Sequence, residues 1–374
     1  MSQPAIAVIG PFKGASGYDR CTTEFVREFV RQGVNVQLTN VRGWSVELPP
    51  GLRDTWFDSL GAPVAANSVL HFTMPNHVRP QPGKRNINYT MFEAERIPRL
   101  WASCAALPEL IVVPTESSFN AWTLSDVPEG RLRICPLGVD GKYFASPASP
   151  APVATSQGRP LKSFRYRFLN IAELRPRKNH LGLLRTWMRA TKPDDEAALV
   201  LKVSVFQRGV IEDFQADLAD LQQSMGRSLS EAAPVILIPT LLTNEMIRSL
   251  YCAATHYVSL SCGEGWDQPM MEAAAAGLTL IAPRHSAYLS YLKDEDSFLI
   301  PAKLTPARFE GRMGRADWAF FAGVNWWKPD EDAAVAVLRS IISGEAQPKQ
   351  SPQARIINDF TWEKAARRLL EIVL

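Results

Sequence analysis

The sequence predicts an α/β fold made of two doubly wound, Rossmann-like domains. Short apolar strands alternate with amphipathic helices in both halves of the 374-residue chain, which is long enough for two domains with separate cores. A stretch rich in Pro, Ala and Ser, residues 145–163, lies between the halves and has the composition of a linker. We therefore expect a first domain over residues 1–150 and a second over residues 151–351.

The first half opens with a strand, a glycine-containing loop, a helix and a second strand. The apolar run 5–9 is followed by glycines at positions 10, 14 and 17, and Phe25 and Phe29 then give a helical repeat that Gly33 ends. This order is typical of the start of a doubly wound domain. The loop matches neither the Gly-x-Gly-x-x-Gly dinucleotide pattern nor a P-loop.

The second half alternates between strands and helices throughout, which predicts a second parallel sheet. Its expected strands are residues 168–172, 198–205, 235–238, 256–260, 278–282 and 298–300. The helices between them are marked by apolar residues at spacings of three and four.

A strand–loop–helix corner, residues 261–277, organises the second half. Pro269 fits the first helical position and Gly277 the end of the helix, so Glu264 lies on the loop and Glu272 in the first turns. Such a corner directs main-chain N–H groups and the positive end of a helix dipole at one point, which favours an anion. Asp267, just before the helix, is expected to cap it.

Three cations follow the strand at residues 168–172, where doubly wound sheets bind ligands: Arg175, Arg177 and Lys178. Three cations within four residues are more often a solvated surface cluster. At this edge of the sheet, they are candidates for holding the phosphates of a nucleotide.

The string from Glu264 to Gly277, Glu-Gly-Trp-Asp-Gln-Pro-Met-Met-Glu-Ala-Ala-Ala-Ala-Gly, resembles the Glu-x7-Glu signature of the family-four retaining glycosyltransferases. The usual form there is Glu-Gly-Phe-Gly-x-Pro-x-x-Glu-Ala-x-Ala-x-Gly, so Asp267 replaces a glycine. Further segments that look like family signatures occur in the expected order at residues 92–98, 113–118 and 138–144. The resemblance implies the GT-B fold, in which two Rossmann-like domains face each other across a cleft. It also implies that residues 352–374 return to pack on the first domain.

The resemblance implies a retaining transfer of a sugar from a nucleoside diphosphate sugar to an acceptor hydroxyl, in glycan, polysaccharide or glycoconjugate assembly. Lys178 would hold the diphosphate, with Arg177 or Arg175 beside it; the family's usual arginine stands where this chain has Glu173. Glu264 would bind the transferred sugar and Glu272 the ribose. Further substrate contacts are expected from Gly17, Gly265, Trp266, Asp267 and Gln268. Gly17 is expected closest to the donor, because glycine permits the nearest approach of the backbone.

Glu93 stands near the position where many relatives carry a cleft histidine. It could orient the donor sugar or accept the acceptor's proton. An ion pair with Arg96 or Arg99 is an equal alternative.

No cofactor or metal is expected. Two Asp-x-Asp strings, residues 294–296 and 330–332, lie in polar turns and are interpreted as solvated charge, and the five histidines show no metal-ligand spacing. His285 follows the strand after the corner, which would bring it to the border of the cleft.

A net charge of +3 gives no reason to expect a nucleic-acid partner. The expected partners are a nucleoside diphosphate sugar and a glycan, lipid-linked or small-molecule acceptor. Five widely spaced cysteines and a start without a signal-peptide pattern predict a cytoplasmic protein. Contact with the inner face of a membrane through Arg96, Arg99, Leu100 and Trp101 is an alternative to a buried helix face. Two other functions stay open: a non-catalytic sugar-nucleotide-binding protein and a sugar-nucleotide epimerase.

Overall fold

The computed structural model describes residues 3–205, 209–312 and 317–374. The chain divides into two compact units. The first comprises residues 1–139 and 358–374, and the second comprises residues 140–357.

The first unit contains a six-stranded parallel sheet whose strands are all formed by the N-terminal part of the chain. In chain order they are β1 (Ala5–Gly10), β2 (Asn35–Asn40), β3 (Ser68–Phe72), β4 (Arg85–Tyr89), β5 (Leu110–Val113) and β6 (Leu132–Ile134). Their spatial order is β2-β1-β3-β4-β5-β6. The helices of this part are α1 (Gly17–Arg31), α2 (Arg99–Cys104) and α3 (Glu116–Thr123).

Helix α1 starts and stops where its sequence indicates. Ser16 and Asp19 form a capping box, in which each side chain accepts a hydrogen bond from the other residue's main-chain N–H. Gly33 follows the helix with a φ of +81°, a conformation that glycine adopts without strain. Phe25 is buried and contacts Trp362 of the C-terminal helix α12 (Trp362–Val373), with ring centroids 5.4 Å apart. The segment expected to return to the first domain therefore supplies α12 to this unit.

The second unit contains another six-stranded parallel sheet. Its strands are β7 (Tyr166–Glu173), β8 (Ala197–Ser204), β9 (Val235–Ile238), β10 (His256–Val258), β11 (Thr279–Pro283) and β12 (Phe298–Ile300). Their spatial order is β12-β11-β10-β7-β8-β9. The remaining helices are α4 (Gly141–Ala145), α5 (His180–Ala190), α6 (Val210–Met225), α7 (Asn244–Ala253), α8 (Gln268–Ala275), α9 (Trp318–Phe321), α10 (Glu331–Ile342) and α11 (Gln353–Asp359). The strand and helix alternation predicted for this half is confirmed.

The predicted corner joins β10 to α8. Pro269 is the second residue of α8 rather than the first, and Gly277 follows the helix with a φ of +82°. Because β10 pairs with β7, the loops that leave these two strands meet at the same edge of the sheet.

An antiparallel hairpin in the second unit was not predicted. Its strands are β13 (Ala302–Pro306) and β14 (Asn325–Pro329). Eighteen residues separate them, without the two-residue turn pattern that marks a short hairpin in sequence. Trp326 of β14 is buried against Phe309, which gives the hairpin a small aromatic core of its own.

The predicted linker, residues 145–163, is packed rather than free. The guanidinium of Arg248 donates to the carbonyls of Ser146 and Pro147, and Ala151 N–H donates to Ser249 O. Helix α4 contacts α8, so both belong to the second unit. The first unit consequently ends at residue 139 instead of 150. The chain returns to it at residue 358 instead of 352, because α11 begins on the second unit with Gln353 donating to Ala275 O.

No helix of the described residues is long and apolar enough to cross a membrane. Of the four residues considered for lipid contact, Leu100 is half exposed, but Trp101 is buried beside Phe92. Arg96 donates to the carbonyl of Leu124. The indole of Trp101 thus belongs to the core of the first unit.

Candidate functional site

The loops after β7 and β10 are joined by main-chain and side-chain hydrogen bonds. Cys262 N–H donates to Arg177 O (2.8 Å), and the amide of Asn179 donates to Leu260 O (2.9 Å). Asn179 has a left-handed φ of +54°, which turns the chain from the short 3-10 turn Pro176–Lys178 into α5. Asparagine tolerates this conformation better than most residues. Lys178 and Arg177 are thereby fixed beside the loop that carries Glu264.

Two of the predicted cations converge on the predicted sugar-binding glutamate. Lys178 Nζ lies 2.6 Å from Glu264 Oε1, and Arg177 Nη1 lies 3.0 Å from Glu264 Oε2. The same nitrogen of Arg177 also donates to Gly263 O. Glu264 accepts one cation on each carboxylate oxygen, an arrangement that holds the carboxylate in one orientation.

The electrostatics of Glu264 are dominated by these two cations. Burial alone would raise the pKa of Glu264, but the charges of Lys178 and Arg177 outweigh it and lower the pKa to about 2. The carboxylate side chain is 4% exposed, whereas those of Lys178 and Arg177 are 14% and 16% exposed. The two cations are therefore more accessible to solvent than the carboxylate that they contact.

Asp267 does not cap α8 as predicted. Its backbone is left-handed, with φ +62° and ψ +70°, and its side chain makes no capping hydrogen bond. The side chain instead accepts a hydrogen bond from Tyr288 OH, 2.7 Å from Oδ2. A glycine adopts this backbone conformation without strain, which gives a structural reason for the glycine in the family pattern. Aspartate is one of the few other residues that tolerate it.

The pKa of Asp267 is shifted in the opposite direction from that of Glu264. Burial and the charge of Glu264 raise the pKa of Asp267 to about 6, against the opposing influence of Lys178. We call Lys178, Arg177, Glu264 and Asp267 the loop cluster. With both acids ionised its net charge is zero, and it becomes +1 when Asp267 is protonated.

Glu272 belongs to the same region of the second unit. It is 1% exposed, and its Oε2 accepts a hydrogen bond from Tyr251 OH (2.8 Å). The charges of Asp267, Glu264 and Glu272 all contribute, after burial, to raising the pKa of Tyr257. Both glutamates of the predicted motif are thus buried in the second unit. The role of Glu272 towards a ribose stays a prediction.

The other predicted residues of the corner contribute in different ways. Gly265 is buried in the loop and Gln268 is the half-buried first residue of α8. The indole of Trp266 is packed inside the unit, 5.3 Å from the ring of Tyr291, whose hydroxyl donates to Trp266 O. Trp266 therefore stabilises the loop from within.

Arg175 is not part of the loop cluster. Its guanidinium donates to Glu173 Oε1 (2.7 Å) and to both carboxylate oxygens of Asp317 (2.9 and 3.1 Å). Glu173, which stands where the family has its usual arginine, is thus the partner of Arg175. Of the two arginines left open by the sequence, Arg177 is the one beside Lys178 and Glu264.

Gly17 and Glu93 belong to the first unit. A Cβ built on Gly17 would meet no described atom within 4 Å, so the fold of this unit does not require a glycine there. Glu93 is half-buried, and its charge contributes, after burial, to raising the pKa of Tyr18. The roles predicted for both residues stay predictions.

Within residues 3–205, 209–312 and 317–374, no group of three or more candidate ligands could hold a metal ion. The two Asp-x-Asp strings have structural partners. Asp330 caps α10 through the N–H groups of Asp332 and Ala333. Asp296 is 1% exposed and is paired with Arg355, so the interpretation as solvated charge was wrong for this residue.

Three residues that the sequence did not assign to the site support its loop: Ser286, Tyr288 and Trp327. The N–H of Glu264 donates to Ser286 Oγ (3.1 Å), and Tyr288 OH contacts both Ser259 Oγ and Asp267. Trp327 N–H donates to Cys262 O (2.9 Å). The two residues nearest in sequence lie about twenty positions after the loop, so no local pattern links them to it.

Neither a protein-family model nor a curated protein sequence matches the chain. Solved structures match it over nearly its whole length. HepE from Anabaena, in complex with UDP and glucose, has a TM-score of 0.66 at 10% identity and covers 99% of both chains. Sucrose-phosphate synthase from Thermosynechococcus elongatus has a TM-score of 0.66 at 14% identity, covering 99% of this chain and 98% of that one.

An α,α-trehalose-phosphate synthase (UDP-forming) from Burkholderia xenovorans, in complex with glucose-6-phosphate, has a TM-score of 0.65 at 10% identity and covers 99% of both chains. At these identities the likeness concerns the fold. The chain has the GT-B fold of these neighbours, and the resemblance predicted from the sequence is confirmed at that level.

Proposed function

We propose that the protein is a retaining glycosyltransferase of the family-four type, which transfers a sugar from a nucleoside diphosphate sugar to an acceptor hydroxyl. The observation that carries this proposal is the loop cluster. Lys178 and Arg177 meet on one buried carboxylate, Glu264, at the C-terminal edge of a doubly wound sheet. Ligands of doubly wound folds bind at this edge.

In this reaction the bond between the sugar's anomeric carbon and the diphosphate breaks, and negative charge develops on the departing diphosphate. Lys178 and Arg177 are cations already fixed near that position, and such preorganised stabilisation is usually the largest catalytic contribution. The ammonium of Lys178 can donate three hydrogen bonds, so a bond to Glu264 leaves two for phosphate oxygens. No general acid is then needed to protonate the departing diphosphate, in contrast to glycosidases.

Glu264 acts on the sugar in this proposal. Its pKa, lowered to about 2, keeps the carboxylate ionised near neutral pH, so it can accept hydrogen bonds from sugar hydroxyls. Retention of anomeric configuration, attack of the acceptor on the front face and independence from metal ions belong to the same proposal. In this proposal the positive charge of the two side chains takes the role that a metal ion has in other transferases.

Two structural neighbours support the choice of a nucleotide sugar as the donor. HepE was solved with UDP and with UDP-glucose, and the trehalose-phosphate synthase is described as UDP-forming. UDP-glucose and UDP are therefore the first probes. The acceptor is a glycan, a lipid-linked molecule or a small molecule, and Glu93 is the candidate to accept the proton of its hydroxyl.

The experiment that tests the proposal is a panel of nucleoside diphosphate sugars, measured for hydrolysis or transfer and for thermal stabilisation of the protein. We expect one donor to be turned over and to raise the Tm. Glu264→Gln should reduce kcat/KM by about 10²-fold, because it removes the carboxylate charge from a preorganised site. Glu345→Gln, an exposed residue after α10, is the matched control and should behave as wild type.

Each alternative function predicts a different result in this panel. A non-catalytic binding protein would be stabilised by a donor without releasing a nucleoside diphosphate. An epimerase would interconvert two nucleotide sugars and also release none. EDTA should leave turnover unchanged, and a loss of turnover that manganese restores would overturn metal independence. Absence of both binding and turnover across the panel would overturn the proposed function.

A further inference from the structure

His285 has both of its ring nitrogens engaged by fixed partners. It is 2% exposed and lies just after β11. Its Nε2 is 2.8 Å from Ser261 O, and its Nδ1 is 2.8 Å from Ser286 Oγ. A carbonyl oxygen can only accept, so Nε2 carries the proton and Nδ1 must accept from the hydroxyl of Ser286. One neutral tautomer satisfies both bonds.

The hydrogen bonds continue from His285 to the main chain of Glu264. Because Ser286 donates its proton to His285, its oxygen is free to accept, and Glu264 N–H donates to it at 3.1 Å. Ser286 has a φ of +43°, a left-handed conformation that is unfavourable for a residue other than glycine. Such strain persists only where surrounding contacts hold it. Here the contacts on both sides of the hydroxyl hold it.

The hairpin β13–β14 contacts the same loop from another side. The ring of Trp327 stacks on the ring of His285, with centroids 5.4 Å apart and planes 13° apart. The N–H of Trp327 donates to Cys262 O. The loop from Ser261 to Glu264 is thus fixed at three successive points: Ser261 by His285, Cys262 by Trp327, and Glu264 by Ser286.

Simple packing does not account for this arrangement. A phenylalanine at position 285 would fill the space and stack on Trp327 equally well, without two buried polar nitrogens to satisfy. Burial lowers the pKa of His285 to about 4, while the charge of Glu264 raises this pKa and the charge of Arg177 lowers it. The ring is therefore neutral throughout the usual assay range, as the tautomer requires.

We propose that His285 is a positioning residue that sets the main chain of Glu264 through Ser286, and that the hairpin β13–β14 is a working part of the donor site through Trp327. This inference rests on the proposed function. It implies that the geometry of the sugar-binding carboxylate depends on residues 21 to 63 positions later in the chain. The cations that hold the diphosphate, Lys178 and Arg177, come from a different loop, the one after β7.

The test compares His285→Phe, Ser286→Ala and Ser286→Gly with wild type, using kcat and KM for the donor and the Kd for UDP. His285→Phe keeps the stacked ring and removes both hydrogen bonds. We expect kcat to fall by about 10- to 100-fold, as for other supporting groups around a site. The Kd for UDP should change by less than about 3-fold, because Lys178 and Arg177 stay in place. Trp327→Phe keeps an aromatic ring and should retain most of the activity, whereas Trp327→Ala should lose it.

The two serine variants separate the hydroxyl from the backbone. Ser286→Gly relieves the left-handed strain and Ser286→Ala does not, but both remove the acceptor of Glu264 N–H. Equal losses of kcat support the inference, whereas a fully active Ser286→Gly overturns it. These variants also serve if His285→Phe does not fold.

His256 provides the matched control. It is a neutral histidine whose pKa is lowered by burial to about 4, and its ring stacks on the ring of Phe168. His256 is the first residue of β10, so it lies at the end of that strand away from the loop. His256→Phe should change the Tm without changing kcat. If wild type turns over the donor and the His285 and Ser286 variants have the same kcat, this inference is overturned but the proposed function is not. Absence of turnover in wild type would overturn it together with the proposed function.

Discussion

Two clusters of charged side chains in the second unit differ in whether their surroundings favour the ionised form of each side chain. We call the second the helix cluster: Arg185 and Arg189 of α5 with Glu310, Glu331 and Asp332. Arg185 contacts Glu310 and Glu331 with two hydrogen bonds each, between 2.7 and 3.0 Å. These bonds raise the pKa of Arg185 and, with its charge, lower that of Glu310. Both resolved shifts favour the ionised form.

In the loop cluster the surroundings favour the ionised form of one acid, Glu264, and disfavour that of the other, Asp267. The pKa of Glu264 is lowered by its two cations, but that of Asp267 is raised by burial and by Glu264. Ionised Asp267 is therefore opposed by its own neighbours. Groups with pKa values shifted against their charged state are concentrated at functional sites, whereas structural ion pairs shift towards it. If the proposed function is correct, the helix cluster contributes stability and the loop cluster carries the chemistry.

The largest expected difference between the clusters is in the effect of removing a cation. Lys178→Ala should reduce kcat/KM for the donor by about 10²- to 10³-fold, because it removes a donor aimed at the charge that develops in the transition state. Arg185→Ala should leave kcat/KM within about 3-fold and lower the Tm by roughly 2–6 °C, since it breaks the ion pairs that join α5 to α10 through Glu331 and to the segment after β13 through Glu310. Donor kinetics and thermal melts on the same preparations measure both. Lys192→Ala, an exposed lysine after α5, controls for loss of charge. The comparison would fail if Arg185→Ala were the less active variant.

A second, smaller difference separates two neighbouring arginines. Arg177→Ala should reduce kcat/KM by about 10- to 100-fold, because the guanidinium contacts Glu264 and lies on the exposed side of it. Arg175→Ala should reduce it by less than about 3-fold, because this guanidinium is already occupied by Glu173 and Asp317. Steady-state kinetics of the two variants, with the Kd for UDP, measure the contrast. A larger loss of kcat/KM in Arg175→Ala than in Arg177→Ala would indicate that Arg175, and not Arg177, binds the diphosphate with Lys178.

The sequence was sufficient to predict the strands, helices and loops that carry the charged residues, but not all of the side-chain contacts of those residues. Strand–helix alternation is a local pattern, and so is the corner at residues 261–277, so both sheets and the positions of Lys178 and Glu264 followed from it. The contact of Arg175 with Asp317 spans 142 positions, and that of Asp267 with Tyr288 spans 21. Contacts at such separations depend on how strands are ordered in the sheet. The capping role expected for Asp267 was wrong for this reason, because a tertiary partner took the side chain.

The hairpin β13–β14 was missed for a related reason. Its strands are joined through 18 residues, so the sequence carries no short-turn pattern that would predict a hairpin. Its contact with the corner is one main-chain hydrogen bond and one ring stack, neither of which leaves a sequence pattern. The end of the first unit was placed too late because composition marked residues 145–163 as a linker. The contacts of its first part with Arg248 and Ser249 are distant in sequence and leave no local pattern.

The smallest expected effect tests the strain in the loop cluster without any substrate. Between pH 4 and pH 6 the folded protein holds a proton on Asp267 that the unfolded chain has lost, so this residue's contribution to stability falls as the pH rises through that interval and stays low above it. Asp267→Asn keeps the shape and can still accept from Tyr288 OH, but it carries no charge. The variant should match wild type most closely at or below pH 4 and exceed its Tm by roughly 5 °C at pH 8, from about 2–3 kcal/mol of linkage. Thermal melts across this range measure the difference. Asp330→Asn is the control: it removes a negative charge from the N-terminus of α10 and should therefore lower the Tm slightly. Equal melting curves for wild type and Asp267→Asn at every pH would show that the two acids are not in conflict, and the distinction between the clusters would then rest on Lys178 and Arg177 alone.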